Sequence, residues 1–321
     1  MEYSSNLNFY LSWLLEVVAY CAVDCFGLIS GYLLWNSKMS IRRIIELWLQ
    51  VLFYTIVLTG IMCSVFPEYR MLKSVVNAFF PITRTQYWYI SAYFGVCLLI
   101  PFLNAIISKC EQRIMKYVFG SIFLIMCIIP TVLRSDPFGM AQGYSTFWLC
   151  ILYLFGGYIG KYNVFFKTPK YKMVVIYVTS ILVGYLYVIL AKRIMGWEPI
   201  AYTSPFVIVT AISLFEICRK LHLKKNTKTI LGIFSSSALG VYLIHNHPLV
   251  FDKFIINYAT SWVKLPGYIL VGKVLGSALL IWSICVLVDW GRGKLFKLLK
   301  ISQFCLQIEN YIIGIMEKET I

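Results

Sequence analysis

Charged residues are scarce in this chain of 321 residues, and acidic residues are the scarcest of them. Only 13% of the residues are charged, and 14 Asp and Glu stand against 29 Lys and Arg. Soluble domains carry about a quarter charged residues, so this composition excludes a soluble globular enzyme. An aromatic content of 17% excludes a disordered chain as well.

The sequence also lacks the signatures of several kinds of site. None of its ten cysteines forms a CxxC pair and many stand alone in apolar runs, which indicates buried free thiols and excludes a disulfide scaffold. A Gly-rich phosphate loop, a GxSxG elbow and an HExxH motif are all missing. The basic residues form no compact domain, which argues against nucleic-acid binding.

Long apolar runs dominate what is present. Hydrophobic residues make up 60% of the chain, and the mean hydropathy is +0.76. Nine continuous runs approach the roughly 20 residues that a spanning helix needs, which favours helices over a barrel. They cover residues 11–35, 44–66, 87–107, 117–133, 145–160, 173–191, 203–218, 230–250 and 268–290. We predict an all-α, polytopic membrane helix bundle at residues 1–290, followed by a cytoplasmic tail at 291–321 that lies on the membrane surface.

The loops between these runs alternate in charge. Loops on one side hold 20 of the 29 Lys and Arg residues, and this side includes the basic tail. The positive-inside rule therefore predicts a cytoplasmic C-terminus in a plasma membrane. Because nine spans is an odd number, the N-terminus is predicted to lie outside.

Asp24 is the clearest candidate for chemistry, because ionisable groups at membrane depth are costly and mark function by default. It stands near the middle of the first run, which also holds Glu16. On a helix, Gly27 and Gly31 share its face, so the carboxylate points to a seam of small residues where another helix can approach. Two interpretations are open: a polar centre that binds or orients a substrate, or a buried carboxylate hydrogen-bonded to Ser, Tyr or Trp.

Two histidines near the end of the eighth run form a second candidate site. An imidazole acts as a base near neutral pH, which makes His245 a candidate catalytic residue. The spacing of His245 and His247 puts them on different helical faces and no third ligand is apparent, so no metal site is predicted. The alternative is a pair of interfacial polar residues before Pro248. His222 lies in a basic loop and is predicted to be solvated.

Aromatic and basic residues supply the candidate substrate-binding contacts. Trp88 and Tyr89 open the third run. An interfacial aromatic belt explains such a cluster without any function, whereas a sugar site would use the same rings and hydroxyls. Arg42 and Arg43 follow the first run, where topology alone accounts for them. The functional interpretation is that they hold the phosphates of an anionic donor, because Arg makes bidentate phosphate contacts.

Several motifs in order give the chain a resemblance to the membrane-bound acyltransferase 3 family, which includes bacterial O-acetyltransferases of surface polysaccharides. They are VDCFGLISGYLL at 23–34, RRI at 42–44, YWY at 87–89, PFLN at 101–104, LFGGYIGKY at 154–162 and SALGVYLIH at 237–245. Together they cover about residues 9–300. The resemblance implies transfer of an acyl group, typically acetyl from cytoplasmic acetyl-CoA, to a hydroxyl of a lipid-linked or growing envelope glycan. It also implies that Arg43 lies near the CoA entrance, and that Asp24, Trp88 and His245 line a central cavity.

One part of the family pattern is missing. The family begins with a helix that carries a basic residue and the histidine held to be catalytic, and nothing in residues 1–15 replaces that helix. We therefore expect an apolar span encoded upstream of Met1. His245 belongs to a different family motif and does not simply inherit the catalytic role.

Two rival functions stay open. One is a transporter or flippase for an envelope glycan precursor, although the inverted repeats and paired broken helices common in transporters are not evident. The other is a truncated relative that binds a donor or partner without chemistry. Activity that depends on acetyl-CoA, as opposed to substrate movement without it, separates an acyltransferase from a transporter.

Overall fold

The described part of the chain consists of helices and the loops between them. The computed structural model describes residues 6–38, 40–195 and 200–318, and no strand occurs among them. The helices are α1 (Asn6–Tyr20), α2 (Ala22–Leu34), α3 (Ile41–Val65), α4 (Leu72–Phe79), α5 (Trp88–Lys109), α6 (Gln112–Ile122), α7 (Ile129–Leu133), α8 (Thr146–Tyr162), α9 (Lys170–Met195), α10 (Pro205–Arg219), α11 (Lys225–Ser236), α12 (Ala238–His245), α13 (Pro248–Val250), α14 (Gly267–Leu298) and α15 (Ile301–Lys318). The predicted all-α class is confirmed.

Within the described residues, seven helical segments are long and apolar enough to cross a membrane. They are Leu7–Leu34, Ile41–Val65, Trp88–Lys109, Gln112–Leu133, Lys170–Lys192, Lys225–His245 and Gly267–Leu298. The other two predicted spans correspond to α8 and α10, which have 17 and 15 residues. At about 1.5 Å per residue these helices are roughly 26 and 22 Å long, below the roughly 30 Å of a hydrocarbon core. A polytopic helix bundle is therefore established, and the count of nine spans stays a prediction.

The described residues form two compact units, each built from two separate parts of the chain. The first comprises Met1–Lys38 and Gly95–His222, and the second comprises Met39–Phe94 and Leu223–Ile321. In the first unit α2 packs along α8, and α10 packs on both α2 and α9. A Cβ atom on Gly31 would overlap the Tyr153 carbonyl, and one on Gly156 would overlap the Leu28 carbonyl. The predicted small-residue seam of α2 is thus confirmed, and α8 is the helix that approaches it.

The second unit has its core where α3, α12 and α14 meet the start of α5. Its buried members are Val51, Tyr54, Tyr87, Ile90, Leu243, Ile244 and Cys285. Asn246 and His247 interrupt the helix between α12 and α13. Pro248 occupies the first position of α13, where the missing N–H of proline costs nothing.

The C-terminal tail forms α15, which packs on α3. The Ser302 hydroxyl donates to the Glu46 carboxylate at 2.7 Å, and the backbone N–H of Arg42 donates to Glu309 at 3.2 Å. Cys305 is fully buried, while Tyr311 on the same helix is exposed. The tail is therefore helical and contacts the protein through one face. Its contact with the membrane surface stays a prediction.

Candidate functional site

Asp24 is completely buried in the first turn of α2. Its Oδ1 accepts a hydrogen bond from the Trp148 indole Nε1 at 3.2 Å. Its Oδ2 is also buried, and the described residues offer it no hydrogen-bond partner. The Trp148 contact agrees with the interpretation of Asp24 as a buried carboxylate that is hydrogen-bonded to Ser, Tyr or Trp. A buried oxygen without a hydrogen-bond partner raises the free energy of the folded protein. A ligand or a water molecule that donates a hydrogen bond to Oδ2 would remove this cost.

His245 is the last residue of α12 and is half-buried. Its Nδ1 lies 2.6 Å from the carbonyl oxygen of Val241, one turn earlier on the same helix. A carbonyl only accepts hydrogen bonds, so Nδ1 carries the proton in the neutral ring. The other nitrogen, Nε2, then holds the lone pair. This arrangement sets His245 to accept a proton at Nε2, as a general base must.

A chain of ring contacts joins three of the predicted site residues. The Trp88 and Tyr89 ring centroids are 5.7 Å apart, and Tyr89 lies 6.0 Å from Tyr242. The Tyr242 ring in turn lies 6.3 Å from the imidazole of His245. We call Trp88, Tyr89, Tyr242 and His245 the ring cluster. The sequence supplied three of its members but missed Tyr242, although this residue stands one turn before His245 on the same helix.

Arg43 lies in the first turn of α3, and its backbone N–H is capped by the Ser40 hydroxyl at 3.4 Å. The neighbouring Arg42 is bound by Glu46, with 2.9 Å between Nε and Oε1. Arg43 is exposed, and the described residues give it no ion pair. Of the two predicted arginines, Arg43 is thus the one whose charge is available to an anion.

The other two histidines have different surroundings. His247 is fully buried, and its Nε2 lies 3.3 Å from the Thr59 hydroxyl. It follows the end of the Lys225–His245 segment, and burial lowers its pKa to about 4. His247 is therefore a neutral core residue. His222 is exposed, as predicted. Among the described residues, no three His, Cys, Asp or Glu side chains are grouped as metal ligands.

Two buried acids were not singled out in the sequence. Asp289 accepts hydrogen bonds from the Tyr54 hydroxyl at 2.7 Å and from Arg292 Nε at 2.8 Å. Glu216 is fully buried and is bound by Arg219 at 2.8 Å. In both pairs an arginine three residues after the acid neutralises it at the end of an apolar run. An acid with an arginine at i+3 in such a run is the signal that would have found them.

The candidate residues divide between the two units. Asp24 belongs to the first, whereas Arg43, Trp88, Tyr89 and His245 belong to the second. Within the second unit the structure brings Trp88, Tyr89 and His245 together through Tyr242. Asp24 is instead organised by Trp148 within its own unit. The joint lining of one cavity by Asp24, Trp88 and His245 stays a prediction.

Comparison with known proteins identifies the family. The sequence model of the acyltransferase 3 family, described as an acyltransferase domain, matches residues 1–290. Curated proteins and solved structures give no match to the chain. The family match covers most of the chain, including all the helices that carry the candidate residues. The chain therefore belongs to the acyltransferase 3 family and is a membrane acyltransferase.

Proposed function

We propose that the protein transfers an acyl group, acetyl in the simplest case, from acyl-CoA to a hydroxyl of an envelope polysaccharide or of its lipid-linked precursor. The observation that carries this proposal is the fixed tautomer of His245. Its Nδ1–H is held by the Val241 carbonyl, so Nε2 is free of the proton. A hydroxyl acceptor needs such a base within hydrogen-bond reach before it can attack a thioester efficiently.

The proposed reaction is a direct acyl transfer. The acceptor hydroxyl oxygen attacks the thioester carbonyl while Nε2 of His245 takes the hydroxyl proton. The tetrahedral intermediate then collapses, the carbon–sulfur bond breaks, and the ester stays on the acceptor. The CoA thiolate recovers the proton from the imidazolium, which restores the neutral ring. No further reactant is needed.

The ring cluster supports a sugar as the acceptor. Aromatic faces pack against the apolar faces of sugar rings, and Trp88 and Tyr89 reach His245 through contacts of 5.7, 6.0 and 6.3 Å between ring centroids. An acceptor held on these rings would present a hydroxyl near Nε2. The exposed Arg43 supports an anionic donor such as acyl-CoA, since guanidinium binds phosphate bidentately.

The proposed setting is the plasma membrane, with the C-terminus in the cytoplasm and the N-terminus outside. The excess of bases in alternate loops supports this orientation. A cytoplasmic start of α3 would then meet the donor from the side on which acyl-CoA is made.

Transfer of labelled acetyl groups tests the proposal. Membranes from cells with and without the gene are supplied with acetyl-CoA labelled in the acetyl group, and label in the glycan and lipid-linked fractions is counted. We expect gene-dependent label that is released by mild base, as an ester is. We expect His245→Gln to lower the rate by about 100-fold or more, the range for loss of a general base.

His222→Gln is the matched control, because it removes an exposed imidazole from the same chain. Its rate should equal that of the wild type. An abundant, membrane-inserted protein that transfers no label would overturn the proposal. Movement of a glycan precursor across the membrane without acetyl-CoA would instead establish the transporter.

A further inference from the structure

A cavity of about 590 Å³ lies beside the C-terminal part of α14, and no residue of the ring cluster lines it. The end of α11 and the break before α12 form one wall, through Phe234 and Ser237. Residues 286–297 of α14 form the other wall. Its volume is within the roughly 300–1,000 Å³ typical of small-molecule sites.

The lining of this cavity combines two kinds of side chain. Phe234, Val286 and Leu287 are apolar, whereas Ser237, Lys294 and Lys297 carry hydroxyl or basic groups. Along α14 the apolar pair precedes the two lysines by about two turns or more, so this wall has an apolar part and a basic part. A small hydrophilic anion would make no favourable contacts with the apolar part. The combination suits an amphiphile with a polar, anionic head.

The basic part of the cavity carries an excess of positive charge. Arg292 also lines it, but its guanidinium is bound by the Asp289 carboxylate at 2.8 Å. The Lys294 ammonium lies 3.5 Å from the centroid of the Trp290 ring, and neither Lys294 nor Lys297 forms an ion pair within the described residues. Two cations are therefore left without a carboxylate.

The position on α14 indicates the depth of the cavity in the membrane. The helix carries no charged residue from Val274 to Val288, and the bases of its C-terminal part begin at Arg292. Trp290 stands at this change, as expected at a membrane–water interface, and its side chain is 55% exposed. Leu287, one turn earlier, is 68% exposed. The basic part of the cavity is thus at the level of lipid headgroups, and its apolar part is at the level of the first chain carbons.

We propose that this cavity binds an anionic phospholipid, with the headgroup phosphate between Lys294 and Lys297 and the start of an acyl chain against Phe234 and Leu287. Ser237 also lines the cavity, and a serine hydroxyl is a hydrogen-bond donor suited to a phosphate oxygen. Basic pockets between membrane helices on the cytoplasmic side bind such headgroups. This site is separate from the proposed acyl transfer, and its test does not depend on that activity.

The test measures lipid binding to the purified full-length protein in detergent by native mass spectrometry. Phosphatidylglycerol is the anionic probe and phosphatidylcholine the zwitterionic one. We expect the wild type to bind phosphatidylglycerol in preference. Replacing both lysines, Lys294→Gln with Lys297→Gln, should weaken that binding by about tenfold or more. The pair Lys167→Gln with Lys170→Gln has the same spacing on an exposed surface and should leave it unchanged.

A second pair of variants tests the cavity without changing charge. Gly293 lines the cavity and a Cβ atom on it would meet nothing within 4 Å, so Gly293→Leu should fill the site and weaken phosphatidylglycerol binding. Gly291 is equally open but does not line the cavity, so Gly291→Leu is the matched control. Leucine favours helix over glycine, so both variants should fold.

Three results would overturn the proposal. The first is unchanged phosphatidylglycerol binding in both the lysine pair and Gly293→Leu. The second is an equal loss in Gly291→Leu and Gly293→Leu. The third is displacement of the lipid by acetyl-CoA at stoichiometric concentration, which would assign the cavity to the donor instead.

Discussion

Trp148 donates its indole N–H to Asp24 across 124 residues of sequence, and this contact fixes one oxygen of the carboxylate while leaving the other buried without a partner among the described residues. The two residues lie on α8 and α2, the helices that approach each other through glycines. Close backbone packing and a buried acid thus occur on the same face of α2. The packing of α2 on α8 fixes the position of the Asp24 side chain. The indole occupies Oδ1, so Oδ2 is the oxygen that remains available for a hydrogen bond.

Asp24→Asn should abolish acyl transfer while leaving membrane insertion and abundance largely intact. The amide keeps the shape of the side chain and an oxygen that accepts from Trp148, but it removes the carboxylate oxygen to which a substrate would bind. Labelled-acetyl transfer per folded molecule is the measurement. Asp136→Asn, at an exposed position, is the control. Lower abundance or melting temperature with preserved activity would make Asp24 a structural residue.

The sequence predicted one span over residues 11–35, which includes α2, and it predicted the small-residue seam, because both follow from local spacing along one helix. It did not identify Trp148 as the partner, since that choice depends on which helices meet. The break at Ser237 between α11 and α12 was equally hidden, because the hydropathy of residues 230–250 is continuous. Asp289 was overlooked for another reason. It stands at the very end of its apolar run, where the loop bases that follow suggest an exposed position.

Gly31→Ala should destabilise the first unit. The added Cβ atom would overlap the Tyr153 carbonyl, which is backbone and cannot rotate away. Overpacking of this kind costs about 1–3 kcal/mol. Gly120→Ala is the matched control, because a Cβ atom there meets nothing within 4 Å. Thermal unfolding in detergent should show a lower Tm for Gly31→Ala alone. Equal Tm values for the two variants would contradict the close approach of α2 and α8.

Stability should fall as the pH drops from about 6.5 to about 4, because of His247. Burial holds its pKa near 4, whereas an unfolded histidine titrates near 6.5, so the unfolded state binds more protons in this window. At pH 5 the loss is about 2 kcal/mol relative to pH 8. Tm measured between pH 8 and pH 5 should fall in the wild type and in His222→Asn, and should fall less in His247→Asn. The same slope in all three proteins would remove His247 as its source.

Reporter fusions test the predicted orientation. Lys228 lies in the first turn of the Lys225–His245 segment, and Lys264 lies after its end. Fusions after these two residues are therefore separated by most of this segment. The first should report the cytoplasm and the second the outside, because alternate loops carry the excess of bases. A cytoplasmic fluorescent protein and an externally active phosphatase provide complementary readouts. Both positions on one side of the membrane would contradict the topology.

The division of each compact unit into two parts of the chain has a consequence for synthesis in the cell. Residues 39–94 emerge early, but the rest of their unit begins only at Leu223, about 130 residues later. At ribosomal rates of about 5–20 residues per second, that interval is on the order of 10 s. During it, α3 packs only on lipid and on the early helix α4, and the hydrogen-bond partner of Tyr54, Asp289, has not yet been translated. Translation speed and early chaperone contact should therefore affect the yield of the second unit more than that of the first.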